Sequence, residues 1–181
     1  MINYIEKGQY LYAAIEAANY SLMQRNGIWL ATDTNGNQST EIDFAVQSII
    51  DSFDPLPEAK LDAIYRINSA AGKVRAKYAT NIPFQTEAYH LKLADAKAFK
   101  AAGYPENELV SYPYTNARAT RQGVTGQAAA DFIIAIAANW DMLMFAIENK
   151  RDAANEQIEA ITDWTLCEPA ANTIVAEFEA M

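Results

Sequence analysis

The sequence predicts a mainly α fold, a helical bundle with long antiparallel helices preceded by a small α+β module that contains a β-hairpin. Three observations carry this expectation. Apolar residues recur at three- and four-residue spacing over most of the chain beyond Pro57. A helix of unusual length is marked out from about Gln127 to Ile161, and Asn26-Gly27 stands between two short apolar segments near the N-terminus. Pro55 and Pro57 set the expected boundary between the module, residues 1–54, and the helical domain, residues 55–181. Each proline removes a backbone donor and disfavours helix in the residue before it.

Within the module, Ile2 and Tyr4 alternate with polar residues as a short strand does. Leu11, Ala14, Ile15 and Ala18 give Gln9 to Ala18 a helical spacing. Asn-Gly supplies the positive backbone angles of a tight turn, so Tyr20–Gln24 and Ile28–Thr32 should pair as a hairpin. The polar run Asp33–Ser39 reads as a loop, and Thr40 with Asp43 resembles an N-terminal capping pair for a helix over Glu41–Phe53. Phe44, Val46, Ile49, Ile50 and Phe53 are expected to face the module.

Beyond the prolines, Leu61, Ile64, Ile67, Ala71, Val74 and Tyr78 form one face of a helix from Glu58 to Thr80, which Asn81-Ile82-Pro83 interrupts. A second helix, Gln85 to Ala102, carries Tyr89, Leu93, Ala96 and Phe99, and Gly103 with Pro105 ends it. Two long helices joined by so short a break are expected to lie antiparallel. The Pro- and Tyr-rich stretch from Gly103 to Thr120 is too apolar for a free linker and should cover one end of the helices. Thr125 can cap the long helix, whose apolar row is Ile133, Ala137, Trp140, Met144, Ile147, Ala154, Ile158 and Ile161.

That helix has two unlike halves. Phe132 to Ile147 is apolar nearly all round, the pattern of a segment buried on more than one side. Past Glu148 the apolar residues narrow to a single seam, flanked by Glu148, Lys150, Asp152, Glu156 and Glu159. The first half is therefore expected to be core. The second, with Ile147, Arg151, Ala154, Ile158 and Ile161, is the expected interface. Trp164 to Met181 shows a short helical pattern at Ile174, Val175 and Phe178.

Composition narrows the functional classes. A chain of 181 residues, 51% of them hydrophobic, has enough apolar material to fold by packing alone. Fourteen basic against 23 acidic residues give a net charge of -9, which repels phosphate backbones, so nucleic acid is not an expected partner. Met1-Ile2-Asn3-Tyr4-Ile5-Glu6 lacks the basic start and apolar stretch of a signal peptide, and no uninterrupted run reaches the roughly 18 apolar residues of a membrane span. A cytoplasmic site of synthesis and no membrane partner are the corresponding expectations.

Candidates for chemistry are few. A single cysteine, Cys167, leaves no internal disulfide and no cysteine-based zinc cluster. His90 is the lone histidine, and its place beside Tyr89 and Leu91 suits a helix surface. Seven glycines include no phosphate-cradling loop. Asp33, Asn35 and Asn37 alternate as the first calcium ligands of an EF-hand do, yet Gln38 stands where that loop needs glycine and Phe44 where it needs its last carboxylate. A polar turn is the reading the spacing supports. No catalytic residue, metal or cofactor is expected.

The ordered segments NGIWLATD, AVQSIIDSFDPLPEAKLDAI, LADAKAFKAAGYPENELVSYPY and GVTGQAAADFIIAIAANWDMLMFAIENKRDAANEQIEA resemble a group of small proteins of tailed bacteriophages encoded near tail-fibre genes. The resemblance runs from about Gly8 to Ala160. It implies a non-enzymatic virion protein of the tail, made in the host cytoplasm, with tail or fibre proteins as partners. The second-half seam would suit a homo-oligomer, with a trimer favoured because fibres are commonly trimeric. A soluble tail-fibre assembly chaperone is the alternative. An acidic inhibitor of a host enzyme is a third reading, from charge.

Overall fold

A computed structural model describes residues 2–78 and 85–181. In chain order the elements are α1 (Gln9–Ala17), β1 (Tyr20–Arg25), β2 (Ile28–Asp33), α2 (Thr40–Ser52), α3 (Leu56–Tyr78), α4 (Gln85–Ala101), a 3-10 helix (Glu106–Ser111), α5 (Pro113–Gln122), α6 (Gly126–Glu159), a 3-10 turn (Trp164–Leu166) and α7 (Cys167–Glu179). The fold is mainly α, a helical bundle with an α+β module and its antiparallel hairpin at the N-terminal end. The break expected at Asn81-Ile82-Pro83 lies outside the described residues. Two compact units are present: the first joins the chain up to Asn68 with Ala154–Ala180, and the second is Ser69–Ala153. They do not follow the division at residue 54. The prolines nonetheless separate α2 from α3 where expected, and Leu56 N–H donates to Asp54 Oδ1 at 3.0 Å to start α3.

In the first unit the hairpin forms as the Asn-Gly pair dictates. Asn26 and Gly27 have φ of 53° and 78°, both positive as a type I′ turn requires, and the register runs from Arg25 opposite Ile28 to Tyr20 opposite Asp33. One face of the sheet joins α1 and α2 around a core of Ile2, Leu11, Ile15, Ala31, Val46 and Ile50. The segment around Ile2 and Tyr4 is not a strand. Instead the Gln47 side chain accepts from Asn3 N–H at 2.7 Å and donates to Asn3 O at 3.1 Å, supplying from one amide what a neighbouring strand would have supplied. Tyr4 stacks on Trp29 with ring centroids 4.0 Å apart.

Helix α2 starts one residue earlier than expected. Ser39 is its cap, accepting from Ile42 N–H at 3.3 Å. At its other end Lys7 Nζ donates to Phe53 O at 2.6 Å, placing a cation against the last carbonyls. Phe44 does not face the module; it is 79% exposed. At 100° per residue, Ile42, Val46, Ile49, Ile50 and Phe53 share one side of α2 and Phe44 falls opposite.

The same unit contains the start of α3, the end of α6 and α7. Lys60 Nζ donates to Glu159 O at 2.5 Å, and further along α3 Asn68 accepts from Asn155 at 3.4 Å, so the two helices run antiparallel here. The face of α3 that is buried is Ala59, Ala63 and Ile67, whereas Leu61 is 61% exposed. Alanine at four-residue intervals lets a partner backbone come close. In α7, Cys167, Ala171, Ile174 and Phe178 are buried at heptad spacing, so the C-terminal segment is docked. Arg66 on α3 donates to Asn172 on α7.

In the second unit, α4 supplies Ala96 and Phe99 to a core with Ala130 of α6. It ends at Gly103, φ 81°, followed by Tyr104 whose N–H returns to Phe99 O. The stretch from Gly103 to Thr120, expected as a covering loop, is largely helical. Pro113 opens α5 with a preset φ, and Gly123, φ 64°, closes it. Asp95 fixes α5 to α4 by accepting from both Thr115 N–H (2.8 Å) and Thr115 Oγ1 (2.7 Å), and Thr115 is fully buried.

Ile158→Ala, which empties a fully buried position, is expected to lower the unfolding free energy by about 2–5 kcal/mol in urea denaturation, with no change of mass in light scattering. Alkali should also weaken the first unit. Burial raises the Tyr4 hydroxyl above the ordinary tyrosine range, with hydrogen bonds to Tyr12 and Glu6 adding to it, and burial raises Tyr10, with Asp62 adding. Both rings favour the neutral form in the folded state. Their contribution is complete below the unfolded value of about 10 and is lost as pH rises beyond it, so the Tm should fall from about pH 10 upward, and less steeply in Tyr4→Phe.

Candidate interaction surface

Among the described residues no group of three or more His, Cys, Asp or Glu side chains converges on one point as metal ligands do. His90 is exposed on α4. Cys167 is 1% exposed, and burial pushes its thiol up, which disfavours the thiolate that nucleophilic chemistry uses. In the Asp33 loop, one carboxylate oxygen accepts from Asn35 N–H (2.8 Å) and Asn37 N–H (2.9 Å), and the other from the Asn37 side chain (2.9 Å). Those bonds, the Asn37 side chain first, hold the Asp33 carboxyl below its usual range. The loop's acidic group is spent on shaping the turn.

The surface that stands out is on α6. Its first turn is held firmly: Glu106 accepts from Gly126 N–H at 2.9 Å and Gln127 N–H at 2.8 Å, and Thr125 Oγ1 accepts from Ala128 N–H at 3.2 Å, as its place in the sequence predicts. One turn on, Asp131 accepts from Tyr104 Oη at 2.8 Å and pairs with Lys100 at 3.0 Å. Tyr104 and then Lys100 keep that carboxyl below its usual range. The rings of Tyr104 and Tyr112 meet Phe99 edge-on at 5.7 and 4.9 Å, and Arg118 lies 3.8 Å over the Phe132 ring.

Beyond that base the helix is bare. Phe132 is 48% exposed, Ile136 52%, Trp140 37%, Met142 63% and Phe145 72%. Phe132, Ile136 and Trp140 stand four apart on one side of the helix, and Met142 and Phe145 project from the other. This reverses the expected roles of the two halves. Ile147 and Ile158 are fully buried and Ala154 is 5% exposed, within the chain itself. Arg151 donates to Glu148 (2.9 Å) and Asp152 (2.5 Å) on its own helix, and Glu148 also pairs with Arg75 of α3. Ile161 is half-buried just past the helix end. The proposed seam is thus occupied intramolecularly.

The exposed residues were missed because all-round apolarity reads as core when the chain supplies enough neighbours, and here it does not. Counting uninterrupted apolar runs also hid a property of α6. Asp131 and Asp141 break the run, yet by length and composition α6 is apolar enough to cross a membrane, and 11% of its most apolar window is buried. No protein family, curated protein or solved structure matches the chain.

A Cβ on Gly126 would meet Leu109 Cδ1 at 2.7 Å, Phe99 Cζ at 2.9 Å and Glu106 Oε2 at 2.9 Å. Gly126→Ala is therefore expected to cost about 1–3 kcal/mol of stability by overpacking and loosening the Glu106 cap, measured by urea denaturation.

Proposed function

We propose that this chain is a non-enzymatic structural protein of a bacteriophage tail, and that α6 joins it to a fibre or tail-tip partner by helix packing. The exposed set Phe132, Ile136, Trp140, Met142 and Phe145 carries the reading. Large apolar side chains gain roughly 1.5–3 kcal/mol each when fully removed from water, so covering this set supplies a favourable term to set against the cost of association. The resemblance to tail-fibre-associated proteins supplies the class of partner. The well-capped start of α6, tied to α4 through Asp131 and to the 3-10 helix through Glu106, holds the apolar residues on a rigid element. Scattered charge of net sign -9 keeps such a protein soluble before assembly.

The apolar window favours one second reading, insertion of α6 in a bilayer. Against it stand Asp131, already committed to Lys100 and Tyr104, and the exposed Asp141, since a carboxylate at the bilayer centre costs about 2.5–3.5 kcal/mol.

Mass spectrometry of purified particles of a phage encoding this chain is expected to find it in stoichiometric amount. Its absence from particles sinks the structural reading and leaves the assembly chaperone, and flotation with lipid vesicles would favour the bilayer. Ile136→Ser with Phe145→Ser should change the unfolding free energy by less than about 0.5 kcal/mol each, yet remove the protein from particles.

A further inference from the structure

In the first compact unit, four separate segments converge on a cleft of about 400 Å³ that the apolar surface of α6 does not include. Gln9 and Tyr10 enter from the first turn of α1, Asp62 and Arg66 from one side of α3, Trp164 from the 3-10 turn and Glu168 from the first turn of α7. The volume lies within the roughly 300–1,000 Å³ of small-molecule sites.

The walls are held in place by groups outside the cleft. Gly8, φ 75°, lies so close to the Trp164 indole that a Cβ there would come within 2.9 Å of the ring, and Arg66 is oriented by Asn172. Of the polar groups lining the space, Arg66 is engaged by Asn172 and Gln9 by the Tyr10 hydroxyl, and the two carboxylates and the indole N–H are left over. Among the described residues neither the Asp62 nor the Glu168 carboxylate, nor the Trp164 indole N–H, has a hydrogen-bond partner. Burial first, with the Asp62 and Glu168 charges adding, raises the Tyr10 hydroxyl above its ordinary range, so it stays protonated over the neutral pH range.

The chemistry of this lining selects among ligands by charge. A cation that suits Asp62 and Glu168 meets the Arg66 guanidinium, and an anion that suits Arg66 meets two carboxylates. A neutral molecule with many hydroxyls avoids both conflicts, because each hydroxyl donates to a carboxylate and accepts from Arg66, Gln9 or the indole N–H. Its C–H faces suit the rings of Trp164 and Tyr10, which offer apolar surface beside a polar tip. We propose that the cleft between α1, α3 and α7 binds a neutral saccharide, with Trp164 and Tyr10 as the apolar contacts and Asp62, Arg66 and Glu168 as the hydroxyl-binding groups.

The test is ligand-observed saturation-transfer NMR on the full chain with a panel of glucose, galactose, N-acetylglucosamine, maltose and lactose, with inorganic phosphate and arginine methyl ester as charged probes. At least one sugar should bind with a Kd of order 1 mM, and Asp62→Asn and Trp164→Phe should each weaken it about tenfold or more. Thermal unfolding of the same variants separates loss of the site from loss of the fold. For a variant that unfolds early, Glu168→Gln on the exposed rim takes its place. The proposal is overturned if no sugar on the panel binds at about ten times that concentration, if folded variants bind as the parent does, or if phosphate or arginine methyl ester binds in preference.

Discussion

Lys60 reaching to the end of α6, with Asn68 against Asn155, ties the late part of the chain to the early part, and the first compact unit depends on that return. Residues 154–180 complete a unit whose other members all precede residue 69. Such a unit cannot close until the intervening chain is made, because its contacts join residues about a hundred positions apart. The energy comes from apolar burial at Ile158, Cys167, Ala171 and Phe178, while the polar bonds at Lys60, Arg66 and Asn155 set which residues stand opposite which.

That return also settles the division of labour along α6. Ile147, Ala154 and Ile158 are drawn into the chain's own packing, and the more apolar half before them is left with solvent over much of its surface. A helix that is apolar all round and yet exposed is out of balance as a monomer, and the imbalance is what a partner would relieve. The base of the helix is overdetermined by contrast, with Glu106, Thr125, Lys100 and Tyr104 all engaged within its first two turns. Rigid support beneath an exposed apolar row is the arrangement that keeps the ordering cost of association low.

The candidate surface and the cleft use different parts of the molecule and different physics. On α6 the side chains are large and apolar, so the gain on binding is removal of water. In the cleft, few residues are apolar and both signs of charge are present, so recognition would come from matched donors and acceptors. Neither feature was legible as a site in the sequence. The cleft draws on residues from positions 9 to 168, and no spacing rule connects Tyr10 with Glu168.

What the sequence determined by itself was local. Asn26-Gly27 imposed the hairpin through backbone chirality, Pro55 and Pro57 separated two helices by removing donors, and Gly103 ended α4 because its left-handed φ suits glycine. Three- and four-residue periodicity placed the long helices, α6 included, but not α5, and the position of Thr125 marked the cap of α6. Only the tertiary structure decided which helical faces were covered: Ala59 and Ala63 rather than Leu61 on α3, Val46 rather than Phe44 on α2, and the second half of α6 rather than the first. Periodicity states that a face is apolar, but burial depends on whether another element arrives to cover it, and that is a property of the whole chain.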